Sequence, residues 1–213
     1  MIRDCTWIMG TVIFVVGLAG ACREDTGDLA VIMEVTDGDS FHVIFDNKKL
    51  QQQYAHLANS EGWIPVRLTG VDYPDFNQNR SMEKCLPGGM DEKSAYCKRW
   101  VNAWLLAYAT KKLDIPKLKG CYLAGMNELV YDLTNRKVRL IADEQEGDLD
   151  SGKTRILRYL QTDSMNLSEH LVTHGYAIYF DPTDEKPCEN CAALELAWYE
   201  AMADPNSCLW NNQ

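Results

Sequence analysis

Residues 29–45 read LAVIMEVTDGDSFHVIF. Leu29 to Val35 is apolar and rich in β-branched side chains, which suit a pleated, buried surface. The run breaks at Thr36-Asp37-Gly38-Asp39, and Asp-Gly is the dipeptide that most readily supplies a tight reversal between strands. Ser40 to Phe45 then resumes as a second strand, so the stretch predicts a β-hairpin with acidic side chains at its turn. Outward from it, residues 46–62 are polar and turn-rich and read as a long connection. Ile64 to Val71 (IPVRLTGV) is a third strand, closed by Asp72-Tyr73-Pro74-Asp75, where Pro74 has no N–H to give to a ladder.

Asp91 to about Ala109 carries Tyr96, Trp100, Val101, Trp104, Leu105 and Tyr108 at helical spacing behind an acidic first turn, as a helix dipole favours. That aromatic stripe reads as core packing. Residues 110–134 are hard to assign and read as an insertion. Val138–Ile141 and Thr154–Gln161 are further strands, separated by an acidic loop from Gly147 to Gly152. Asn166 to His174 reads as a helix stopped by Gly175. Asn190 is placed to cap a last helix through about Ala203, with Leu194, Ala197, Trp198 and Ala201 on one face. Five short strands, one helix between the third and fourth, and two helices after the fifth predict an α+β chain. The expected architecture is a five-stranded barrel of the OB (oligonucleotide/oligosaccharide-binding) type, buttressed by three helices.

Composition bounds the rest. A length of 213 residues, 46% hydrophobic and 24% charged, describes one globular domain with a substantial core and little room for a second full-sized one. Twenty-one basic against 31 acidic residues give a net charge of −10. A broad basic nucleic-acid footprint is therefore excluded as the dominant surface feature, and any phosphate chemistry must work through a few local cations.

At the N-terminus, Arg3 precedes an uncharged apolar stretch from Trp7 to Ala21. It is shorter than the roughly 20 residues a spanning helix needs, and it ends in Ala19-Gly20-Ala21 before Cys22 and charged residues. Residues 1–21 thus read as a secretory signal with an Ala-x-Ala cleavage site, the alternative being an uncleaved membrane anchor. Leu18 to Cys22 also resembles a bacterial lipoprotein box, although Ala19 stands where the box usually has leucine. Acylation of Cys22 would tether the chain to a membrane. Residues 22–28 are then a short linker and 29–213 a single domain, exported to the periplasm or the cell surface and expected to be monomeric.

Six cysteines lie beyond that segment: Cys85, Cys97, Cys121, Cys188, Cys191 and Cys208. In an oxidising compartment they read as up to three disulfides. The competing readings are a zinc site built on Cys188-x-x-Cys191, which lacks a second such pair or a nearby histidine, and a redox-active Cys-x-x-Cys, which lacks a preceding thioredoxin-like strand.

The residues with chemical potential lie at strand ends. Asp37, Asp39, Asp72 and Asp75 fall in the turns after the first and third strands, Arg67 on the third strand and Arg155 at the start of the fifth. Each aspartate alone is ordinary turn chemistry. Together, carboxylates from separate segments suit a hard cation, and guanidinium groups suit a phosphate. The combination describes metal-assisted cleavage of a phosphodiester.

These same blocks carry a family resemblance: Val35-Thr36-Asp37-Gly38-Asp39-Ser40, Val66-Arg67-Leu68 with Gly70 to Asp75, Arg155 to Leu160 (RILRYL), Asn166 to Gly175 (NLSEHLVTHG), then Ala192–Ala203 and Leu209-Trp210. In this order they resemble the staphylococcal nuclease (thermonuclease) family, over most of residues 29–210, with extra chain at 46–62 and around 110–134. The resemblance implies that Asp39 and Asp72 bind Ca²⁺ together with the backbone carbonyl of Tyr73. It also implies that Arg67 and Arg155 grip the scissile phosphate, and that Asp75 positions or deprotonates the attacking water. The implied activity is hydrolysis of DNA and RNA to 3′-phosphate ends, with little base preference. Asp75 is one methylene shorter than the family's glutamate, and Tyr73 replaces a small hydroxyl residue. Gly152 and Lys153 replace a lysine and tyrosine, and Tyr179 only approximates the family's later tyrosines. The alternative reading is a catalytically weakened barrel that serves as a membrane-tethered binding module.

Overall fold

The computed structural model describes residues 27–73, 115–143, 148–150, 152–180 and 188–210. Five strands close into a barrel: β1 (Asp28–Asp37), β2 (Ser40–Phe45), β3 (Ile64–Leu68), β5 (Lys137–Ile141) and β6 (Ile156–Gln161), in the order β1-β2-β3-β6-β5. Closure leaves the barrel without a free edge. All neighbours are antiparallel except β3 and β6, which run parallel with Arg67 opposite Leu157. The chain is α+β, and the barrel is compatible with an OB-fold.

Strand alternation sets the core. In β3, Ile64, Val66 and Leu68 point inward, while Pro65 and Arg67 lie on the other face. Phe41 and Val43 of β2 and Ile32 of β1 meet them, and Leu140, Ile156 and Leu160 complete the apolar interior; all are essentially inaccessible to solvent. β1 runs further than its apolar stretch predicts. It continues through Asp37, which pairs with Ser40, and two register irregularities, at Ile32/Glu34 and Val35/Asp37, bend it as bulges do. The reversal is thereby confined to Gly38 and Asp39. A side chain at Gly38 would begin 2.2 Å from the Tyr73 ring, so the turn packs against Tyr73 only because residue 38 has none.

The predicted third strand divides. After Leu68 the chain turns through Thr69 and Gly70 (φ +76°), and Val71–Asp72 forms β4, which pairs with β7 (Ile178–Tyr179) in a separate two-stranded sheet. The 46–62 connection contains α1 (Lys48–Gln53), capped by the Asn47 side chain, followed by a 3₁₀ turn at Ala55–Leu57. The expected insertion at 110–134 is largely a helix, α2 (Ile115–Leu133), with Cys121, Leu129 and Leu133 buried. α3 (Leu167–Thr173) starts from the Asn166 side-chain cap and ends at Gly175 (φ +66°). α4 (Cys191–Ala203) buries Leu194, Ala197, Trp198 and Ala201, the face expected, although the Asn190 side chain makes no capping bond.

Two disulfides lie among the described residues: Cys121–Cys208, which ties α2 to the C-terminal segment, and Cys188–Cys191 at the start of α4. The Cys-x-x-Cys sulfurs are thus bonded to each other. Cys85, Cys97, the helix expected over 91–109, Asp75 and the signal segment with Cys22 all lie outside the described residues. Among those described, no helix is long and apolar enough to cross a membrane.

Candidate active site

Arg67 is opposite Ser40 across the β2–β3 ladder, which sets its side chain beside the hairpin turn. β4 begins four residues after Arg67, at Val71, and brings Asp72 to the same guanidinium. Arg67 Nη1 donates to Asp39 Oδ1 at 3.1 Å. Its Nη2 lies 3.0 Å from both Asp39 Oδ2 and Asp72 Oδ1. Both carboxylates are almost wholly buried, at 3% and 4% exposure, and a buried charge persists only when paired and hydrogen-bonded. Asp39 also accepts from Ser40 Oγ (2.9 Å) and from the Tyr73 N–H (3.2 Å). The Tyr73 ring is buried, and its hydroxyl donates to the Tyr122 carbonyl at 2.7 Å. That burial pushes the phenol far above its ordinary pKa, and it stays neutral.

Arg155 arrives from the loop before β6, the strand parallel to β3. Its Nη1 donates to Ser40 Oγ at 2.8 Å. Its Nε donates to Asp150 Oδ2 at 3.0 Å, and Asp150 Oδ1 accepts from the main-chain N–H groups of Thr154 (2.9 Å) and Arg155 (3.2 Å). The guanidinium is therefore held at both ends. A continuous chain of hydrogen bonds runs Asp150–Arg155–Ser40–Asp39–Arg67–Asp72. The structure thus brings together Asp39, Arg67, Asp72, Tyr73 and Arg155. Tyr179 lies across the small sheet from Val71, next to the Asp72 corner.

Charge is distributed unevenly among the aspartates. Burial, and then the negative charge and hydrogen bond of Asp39, push the Asp37 carboxyl up to about 8. Burial works against the charged form of Asp39 too. There, Arg67 and hydrogen bonds from Asp37, the Tyr73 N–H and Ser40 outweigh it and hold Asp39 below the usual carboxylate range. The adjacent pair accordingly shares one proton at neutral pH. Asp150 is also depressed: its hydrogen bonds from Thr154 and Arg155 more than offset burial.

Asp39 and Asp72 already meet at one cationic atom, Arg67 Nη2, and their hard, anionic oxygens are of the type Ca²⁺ takes. Among the described residues no three His, Cys, Asp or Glu side chains form a metal-holding group. The two carboxylates fit a hard cation in kind, and the rest of a shell of about six to eight oxygens would come from main chain and solvent.

Sequence reasoning placed Asp37 in the turn without a role, and it did not single out Ser40 or Asp150. Asp150 carried one usable signal, a carboxylate in the loop just ahead of a site arginine. The Ser40 bridge depends on the strand register and had none. No family model matches this chain, and no curated protein matches it either.

Proposed function

We propose that the chain is an exported, Ca²⁺-dependent nuclease that hydrolyses phosphodiester bonds of DNA and RNA without sugar specificity. The observation that supports this reading is the single hydrogen-bonded chain in which two arginines and two buried aspartates meet at one end of the barrel. Arg67 and Arg155 each keep 19% of the side chain exposed. Ser40 and Asp39 link them, so a phosphate that engages both arginines lies beside the carboxylates. Guanidinium N–H groups donate to phosphate oxygens, and that stabilisation grows as those oxygens gain negative charge. Asp39 and Asp72 would hold Ca²⁺, which supplies Lewis-acid charge at a phosphoryl oxygen when bound. Asp75 is proposed to position or deprotonate water. The net charge of −10 fits a local site rather than a nucleic-acid-coating surface.

The test is digestion of single-stranded DNA and RNA by the purified mature chain, with Ca²⁺ and with chelator. Ca²⁺-dependent cleavage to 3′-phosphate ends is expected. DNA binding without cleavage would replace this reading with that of a tethered binding module.

A further inference from the structure

A second cluster lies next to Arg155 in the chain and joins Tyr54, Asp148 and Arg158. Tyr54 ends α1 and is 4% exposed. Its hydroxyl donates to the Asp148 carboxylate and accepts from Arg158 Nη2 at 2.9 Å. Arg158, on β6, is 2% exposed. Its Nη2 lies 2.7 Å from Asp148 Oδ1, its Nη1 donates to the Leu157 carbonyl at 2.6 Å, and its Cζ lies 5.7 Å from the Tyr54 ring centre. Arg158 Nε is buried without a hydrogen-bond partner.

So deeply buried a guanidinium cannot greet a substrate, and burying it is unfavourable unless the groups around it are held in place. What it holds is Asp148. The Asp148 carbonyl accepts from the Leu157 N–H at 3.1 Å, Leu149 bridges to Ile156, and the Asp150 N–H donates to the Arg155 carbonyl at 2.9 Å. Residues 148–150 thus form a short lip along 155–157. The Asp148 side chain fixes one end, and at the other Asp150 grips the Arg155 guanidinium.

We propose that Tyr54, Arg158 and Asp148 are positioning residues that set Arg155 through this lip, so that the 46–62 connection, through Tyr54, governs turnover. The proposal rests on the nuclease reading for its kinetic test alone. Tyr54→Phe keeps the ring and removes the hydroxyl. A small displacement of a phosphate-gripping group is costly to turnover, so kcat should fall by about tenfold while KM for single-stranded DNA stays within about twofold. In an Arg155→Lys background the same substitution should change kcat by less than about twofold, because residues acting through one group are non-additive. An equal loss in both backgrounds, or no loss in either, overturns the proposal. Asp148→Asn should act in the same direction as Tyr54→Phe. A readout independent of cleavage is the Arg155 Nε–H resonance, identified by its loss in Arg155→Lys. Tyr54→Phe should shift or broaden it, and an unchanged resonance overturns the proposal. A wild-type chain that cleaves nothing sinks the nuclease reading, and the resonance then decides this inference alone.

Discussion

At the scale of single residues, the site is governed by how its aspartates divide their charge. Asp37 and Asp39 are neighbours across one glycine, and only Asp39 has the Arg67 guanidinium. Burial, and then the charge of Asp39, raise the pKa of Asp37 on folding, from 3.8 to about 8. A group raised on folding stabilises the fold fully below its unfolded value and loses that contribution as pH rises through the folded value. Asp39, Asp148 and Asp150 are lowered on folding. Their contribution is present above 3.8 and is lost as pH falls through their depressed values. In chelator, the melting temperature should decline progressively from about pH 5 to pH 8 and level off above it, the window between the unfolded and folded values of Asp37. Asp37→Asn, which cannot ionise, should flatten that decline. Thermal melts of both proteins across this range check it, and parallel curves would show that Asp37 does not carry the effect. Much of this residue-level picture was legible beforehand. Asp39, Arg67, Asp72 and Arg155 stand out as acids in turns and arginines at strand ends. Asp150 and the Tyr54–Asp148–Arg158 cluster did not stand out, because Tyr54 meets its partners across 94 and 104 residues of chain.

At the scale of elements, legibility followed periodicity and caps. The β1–β2 hairpin announces itself through Asp-Gly between apolar runs. α3 announces itself through Asn166 and Gly175, and α4 through a single buried face. α2 does not. Gly120 and Gly125 interrupt it with residues of low helix propensity, and the apolar Leu123, Val130 and Tyr131 stand exposed beside its inward Cys121, Leu129 and Leu133. What fixes α2 is partly covalent. Cys121–Cys208 closes a loop with a sequence separation of 87, whereas Cys188–Cys191 closes one of 3. By the chain-entropy relation the long loop contributes about 4.6 kcal/mol and the short one about 2 kcal/mol. Replacing Cys121 and Cys208 together by alanine should therefore lower the melting temperature by roughly 10–15 °C. The Cys188/Cys191 pair should cost less than half as much. Melting curves of the two double variants, both without reductant, decide this, and equal losses would refute the entropic account.

For the whole molecule, the sequence argued for a closed barrel through strand number and order. The barrel is what makes the site, because only closure sets β6 parallel to β3 and so brings Arg155 within reach of Ser40. The chain is acidic overall, with 31 carboxylates against 21 basic residues. A nucleic acid held by a basic face releases many counterions, and its affinity then falls steeply with salt, by a log–log slope of about −0.7 per phosphate neutralised on a single strand. In the proposed site the cations that would face phosphate are Arg67 and Arg155. Two neutralised phosphates give an expected slope of about −1.4, far shallower than that of a protein with six or more such contacts. Association should respond in the opposite sense. At low ionic strength the net charge of −10 repels an approaching polyanion, and added salt screens that repulsion. The association rate should rise with salt even as the complex becomes weaker, which places the whole loss of affinity in dissociation. The measurement is stopped-flow binding of a fluorescent single-stranded DNA by Asp75→Asn, a variant chosen to hold the substrate uncleaved, at several salt concentrations and fixed Ca²⁺. A slope near −4, or an association rate that falls as salt is added, would mean that a basic surface beyond these two arginines carries the binding.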